Sequence, residues 1–401
     1  MKKYLALVLA LCCAVMTGCA GILPVQTEPE IETTAPTEWI IEAPVYEKIY
    51  ENSELTFRSI READSAEGKI LTQAAEVFEA RTGAKVRIIW AGEEAEPADI
   101  LQLPDAELEF YAEQLLDLTD LAAEADYIAK SRPELLERVF VRCDSLKAIP
   151  QTPYVEGFYY NTEAFGASGV VQAPEDWDRF RSVYTLLKSA GYQPLTLEEA
   201  DADDVLLLFL TQHLGADEVV RLCAEGGWRN EQVETLVTEV FDLMGGANLV
   251  NGTNRVATSN SAVAFGTNAL CAQGEAAAMA ELSWGMFPYP GIGEAEPFVT
   301  MTSDVLAVSD DCANPRAAFG FILLLTTGEF DQLRADVTLG VPADPANQSP
   351  ILGMDEVLDR VAVITKPAAS LTPRQQGYIQ NFFRGRYKDV ATLLKELDAH
   401  Y

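Results

Sequence analysis

Residues 55–101 read LTFRSIREADSAEGKILTQAAEVFEARTGAKVRIIWAGEEAEPADIL. Leu55 to Ile60 predicts a strand. Lys69 to Thr82 predicts a helix, with Ile70, Leu71, Ala74, Ala75 and Phe78 on one face. Gly83 can take the left-handed conformation that ends such a helix. Lys85 to Trp90 predicts a second strand, and Ala98 to Leu101 a short third one. Strand, helix and strand in so short a stretch form a parallel crossover unit, right-handed in nearly every known case. Ligands of such sheets bind beyond the carboxyl ends of the strands. Residues 58–62, residues 90–94 and Asp99 are therefore the first places to look for a site.

Later elements are marked by their caps. Pro174 opens a helix predicted to run to about Ala190, with Trp177, Phe180, Val183, Tyr184 and Leu187 facing inward. Trp177 is expected in the core. Asn314 caps a helix that starts at Pro315, buries Ala317, Ala318, Phe321, Ile322 and Leu325, and ends before Gly328. Val390, Leu393, Leu394 and Leu397 mark a last amphipathic helix. No repeat with a period of 20–50 residues is visible.

The chain has 401 residues, 62 of them acidic and 29 basic, for a formal charge of −33. That length suits two lobes of ordinary size. An apolar fraction of 48% excludes wholesale disorder. The acid excess argues against nucleic acid, whose phosphates need clustered Lys and Arg, and against an anionic membrane surface. His213 and His400 are the only histidines. A Ser-His-Asp triad, a Cys-His pair and a multi-histidine metal centre are poorly supported. Carboxylate chemistry or plain binding remains, with no metal or cofactor expected.

The amino terminus reads as an address. Met1-Lys2-Lys3 precedes an apolar run from Tyr4 to Met16. About 13 residues is too short to span a bilayer and suits a signal-peptide core. Met16-Thr17-Gly18-Cys19 resembles a bacterial lipoprotein cleavage box. The resemblance implies removal of residues 1–18 and lipidation of Cys19, whose two acyl chains on the diacylglyceryl group suffice for stable anchoring. An ordinary secretory signal is the rival reading. Residues 19–52 are rich in Glu, Thr and Pro and predict an acidic, flexible tether. About 30 such residues span roughly 30 Å root-mean-square. Cys143, Cys223, Cys271 and Cys312 are widely spaced without a CxxC pair; buried packing is expected, and one disulfide stays open.

A series of short stretches then lines up in one order. Ala75 to Gly83 precedes a strand ending near Trp90, and Pro97-Ala98-Asp99-Ile100 follows. Leu115 to Thr119, Ala148-Ile149-Pro150 and Gly157-Phe158-Tyr159-Tyr160-Asn161 come next. Pro174 to Trp177, Gly274 to Met279, Phe287 to Gly291, Asn314 to Ala318 and Gly340 to Ala343 complete it. Over residues 54–401 the chain resembles extracellular solute-binding proteins of the maltose-binding type, which feed sugars to ABC importers. The resemblance implies an α/β, two-lobed periplasmic-binding-protein-like fold with a ligand cleft between the lobes. Residues 53–155 and 303–340 would form the amino-terminal lobe, and 156–302 and 341–401 the carboxyl-terminal lobe. It further implies a monomer, tethered through its lipid on the extracytoplasmic face, that closes on a small solute and hands it to ABC permease subunits.

Sugar sites need flat aromatics and charged hydrogen-bonding partners. Trp90 and Asp99 are candidates for ligand contact, against packing and a loop or cap role. Arg61 and Glu62 follow the first strand, with a surface ion pair as the rival reading. Tyr154 and Glu156 lie in the first predicted hinge with Tyr159 close behind. Thr302 and Asp304 lie at the return crossing. Strand alternation puts Phe158 and Tyr160 on one face and Tyr159 on the other. The segment between Met279 and Pro288 is shorter than in the family, where an aromatic often stacks on the sugar. Trp284 either inherits that role or packs inside a strand. Two other functions compete: a binding-fold lipoprotein that senses or interacts without transport, and an acid glycosidase with paired carboxylates.

Overall fold

Strand β1 (Glu54–Arg58) opens the fold, and its alternating burial sets Leu55 and Phe57 in the core. The structure is a computed structural model describing residues 50, 52–94, 96–251, 261–271, 283–367 and 371–399. The predicted leader, Cys19, nearly all of the tether and the Gly274–Met279 motif lie outside the described residues.

The helix after β1 spans Ala66–Thr82, three residues longer at its start than its apolar face indicated. Ser65 caps it by accepting from Gly68 N, and Gly83 ends it at φ 81°. Gly68 is required there, because a Cβ would lie 2.2 Å from the Glu62 carbonyl oxygen. Strand β2 (Lys85–Ile89) and strand β3 (Ile100–Pro104) both pair parallel with β1. The third strand thus begins two residues later than predicted and runs further.

The long strands β4 (Ala148–Asn161) and β9 (Phe298–Val308) join the two halves of the fold. They pair antiparallel from Ala148↔Ala307 to Glu156↔Thr300, with a bulge between Pro150 and Thr152. Between them in sequence come β5 (Thr196–Glu198), β6 (Asn248–Val250), β7 (Val263–Thr267) and β8 (Trp284–Phe287). After β9 comes β10 (Ala362–Ile364). The described strands form one ladder in the order β2-β1-β3-β9-β4-β7-β5-β6; β10 adds to β9, and β8 to β4. The first end of β4 and the last end of β9 belong with β3. The other ends belong with β7, β8 and β10.

Helices cover both halves. Phe57 and Phe78 pack on Phe321 of the helix Pro315–Thr326, which Asn314 caps as predicted. The larger core gathers Phe158, Trp177, Phe180, Phe209, Phe265, Phe287 and Tyr289 with the last helix, Val390–Asp398. Trp177 is 3% exposed. Its helix starts at Trp177 rather than at Pro174, because the Asp176 carboxylate caps it through Arg179 N. A second core holds Val155, Tyr159, Trp284, Met286, Val299 and Met301 against Met354 and Leu358. Cys143, Cys223 and Cys312 form no disulfide among the described residues; Cys223 and Cys271 are buried, and Cys143 and Cys312 half-buried.

Candidate functional site

The site follows from strand alternation at the crossing. Thr152, Tyr154 and Glu156 on β4 pair with Asp304, Thr302 and Thr300 on β9. Paired residues of two strands share a face, so these six project from the same side. Val155, Val299 and Met301 point to the other side and fill the second core.

At one end of this row stands Arg61, three residues past the last paired position of β1. Its Nη2 donates to Tyr154 Oη at 2.7 Å and to Asp304 Oδ2, and its Nε donates to Glu67 Oε2. Tyr154 Oη also donates to Asp304 Oδ2 at 2.8 Å. Burial works against the guanidinium charge, but Glu67, Tyr154 and Asp304 outweigh it and hold Arg61 firmly protonated. Burial raises the Asp304 carboxyl despite Arg61, and raises the Tyr154 hydroxyl with help from Asp304.

At the other end stands Lys366, two residues past β10. Its Nζ lies 2.5 Å from Glu156 Oε2 and 2.6 Å from Asp204 Oδ2. Tyr289 Oη donates to Glu156 Oε1 at 3.1 Å, while Thr300 Oγ1 stands 3.5 Å from it. Burial raises the Glu156 carboxyl, against the pull of Lys366. Asp204 sits in the first turn of the helix Ala202–Leu214, and Asp201 precedes that helix. Asp201 is pushed up to about 7 by burial, then by Glu156, Glu198 and Asp204. Lys366 is shared between Glu156 and Asp204.

The other expected residues fall elsewhere. Trp90 is half-buried at the carboxyl end of β2, beside Arg61 through the bond from Ala91 N to Arg61 O at 3.0 Å. Glu62 is exposed, and its carbonyl accepts from Ser65 at the helix entry. Asp99 sits at the opposite end of β3 from the crossing and accepts from Thr56 N at 2.8 Å, the loop role that rivalled ligand contact. The acid at the carboxyl end of β3 is Asp105, 2% exposed and paired with Arg138 at 2.6 Å. Tyr159 is fully buried and donates to Val155 O at 2.6 Å. Trp284 pairs with Asn161 at the end of β4 remote from the crossing, is 8% exposed, and packs in the second core. It therefore fills a strand, the packing role that rivalled stacking. Glu67, Lys366, Asp201 and Asp204 escaped the sequence reading. The first-turn position of Glu67 was the one local signal available; Lys366 follows a three-residue strand with no pattern.

Residues 62–329 match the family of bacterial extracellular solute-binding proteins. The chain belongs to that family. Solved solute-binding structures repeat its fold. Apo RafE from Streptococcus pneumoniae aligns with a TM-score of 0.67 and 17% identity, over 87% of this chain and 97% of that one. MsmE from Bacillus subtilis, in an open conformation, gives 0.63 and 16%, over 86% and 96%. UgpB from Mycobacterium tuberculosis, in complex with glycerophosphocholine, gives 0.59 and 18%, over 86% and 97%. No curated protein matches the chain. Among the described residues no group of His, Cys, Asp and Glu could hold a metal ion, and no helix is long and apolar enough to cross a membrane.

Proposed function

We propose that this solute-binding protein is a lipid-anchored receptor that closes on a small neutral solute, a carbohydrate, and delivers it to an ABC importer. Residues 53–155 and 303–340 serve as one lobe, and 156–302 and 341–401 as the other. The protein acts as a monomer outside the cytoplasm, held by Cys19 and its tether. The observation that carries this reading is the crossing itself. Arg61, Tyr154 and Asp304 stand on one side of it and Glu156, Lys366 and Asp204 on the other, joined by the shared face of β4 and β9. A solute touching both groups binds the closed form better than the open one, which is what shifts the population.

The charge pattern selects the solute. Arg61 is already matched by Glu67 and Asp304, and Lys366 by Glu156 and Asp204. Neither cation is left over for a phosphate or carboxylate, so an anionic solute meets net negative charge. Hydroxyls, in contrast, donate readily to carboxylates. RafE has been solved in complex with raffinose, and the GacH receptor of Streptomyces glaucescens in complex with acarbose.

Trp284 in the core favours a second reading, a binding-fold lipoprotein that senses rather than transports, because the expected stacking aromatic is then taken up by packing. Thermal shift against raffinose, chito- and malto-oligosaccharides, glycerophosphocholine and short peptides tests the proposal, with Asp304→Asn as control. Stabilisation by a neutral saccharide that the variant loses supports it. A panel without any binder removes the receptor reading, and stabilisation by glycerophosphocholine alone removes the neutral solute. Membrane fractionation of Cys19→Ser tests the anchor.

A further inference from the structure

A cavity of about 20 Å³ lies behind the cleft, walled by apolar side chains and by Arg61, Glu67, Gln102, Gln151 and Arg334. Arg334 is 3% exposed, and its Nε and Nη1 have no partner in the protein. Its Nη2 donates to Asp331 Oδ1 at 2.7 Å and to Val341 O at 2.8 Å. Two unmatched nitrogens on a buried guanidinium, carrying three N–H groups between them, are costly, and native proteins rarely leave them so. Gln151 reaches the interior because the bulge in β4 falls beside it; its Oε1 accepts from Gln102 Nε2 at 2.7 Å. Gln102 in turn accepts from Ser59 Oγ at 2.9 Å.

We propose that one ordered water occupies this cavity, accepts from Arg334, and ties it to Arg61 and Glu67 at the edge of the cleft. A water needs about 10–15 Å³ and two to four polar partners, and both conditions are met. Charge decides against a small anion. Arg334 is matched by Asp331, and Arg61 by Glu67 and Asp304, so a further negative charge has no cation to serve it. The water extends a polar path with a second end. Asp331 accepts from Ala343 N at 3.0 Å and Asp344 N at 3.0 Å, which holds the chain where it leaves the helix Gly328–Thr338. Arg334 is thus a positioning residue that links Arg61 to residues 341–344.

A high-resolution crystal structure of the unliganded protein decides the first point. Expected is a peak within about 3 Å of Arg334 Nε or Nη1. A dry cavity overturns the proposal, as does an anomalous peak there after a bromide soak. Arg334→Lys decides the second, because lysine still reaches Asp331 but lacks the other two donors. Hydrogen exchange is expected to rise several-fold in residues 59–67 as well as 341–347. A rise confined to 341–347 shows Arg334 to be a local staple and overturns the link. If that variant does not fold, the wild-type crystal still decides whether the water is there.

Discussion

Asp201→Asn removes the carboxylate that the structure leaves without a cation of its own. Asp201 is raised from an ordinary 3.8 to about 7 by burial and by Glu156, Glu198 and Asp204. In the unfolded chain it titrates near its ordinary value. Between those two values the folded protein holds a proton that the unfolded chain has lost. Stability therefore falls as pH rises from about 4 to about 7, and the penalty is complete above that. A shift of about three units corresponds to at most ~4 kcal/mol at 1.4 kcal/mol each. Asp201 is only half-buried, so about half of that is a fairer figure. Its position before the helix Ala202–Leu214 works the other way, since charge at a helix N-terminus is worth roughly 0.3–1 kcal/mol. The variant is thus expected to be more stable than wild type by about 1–2 kcal/mol at pH 8 and indistinguishable from it at pH 4. Urea denaturation at intervals between those limits measures this. An equal effect at pH 4 and pH 8, or destabilisation at pH 8, refutes the reading of this carboxylate group. A variant that is stabilised yet binds the solute more weakly would show the common exchange of stability for function at a binding site.

Lys366→Met leaves Glu156 buried without a cation. Breaking a buried pair costs about 3–5 kcal/mol, but Lys366 is one-third exposed, so about 2 kcal/mol at pH 8 is expected. The loss shrinks as pH falls and the raised Glu156 carboxyl takes up a proton, and chemical denaturation followed downward from pH 8 checks it. Tyr159→Phe removes the bond to Val155 O and is expected to cost about 1–2 kcal/mol while leaving solute affinity unchanged by calorimetry. Asp304→Asn takes away one partner of Arg61 and Tyr154 in the cleft; bound saccharide is expected to weaken about tenfold or more, since bonds to charged groups contribute roughly 1.5–3 kcal/mol.

Local patterns carried much of the fold. The face of Ala66–Thr82, the left-handed Gly83, the Asn314-Pro315 helix start and the spacing in Val390–Asp398 are written within a few residues of one another. Arg61, Tyr154, Glu156 and Asp304 were legible because each lies at a strand end or on a crossing strand. Asp99 misled because the start of a short strand is hard to place, and its true carboxyl end carries Asp105. Tyr159 and Trp284 misled because an aromatic in a strand looks the same from either face.

By itself, then, the sequence determined the family, the α/β class and the acid excess, all of which depend on residue identity and near-neighbour order. Only the tertiary structure decided which charges meet. Arg61 reaches Asp304 across 243 positions, and Lys366 reaches Asp204 across 162. The pairing of β4 with β9 sets those distances, and no local pattern records them. The same pairing turns Glu156 toward Lys366 and Tyr159 into the core, so it separates the residues of the charged groups from those that pack in the second core.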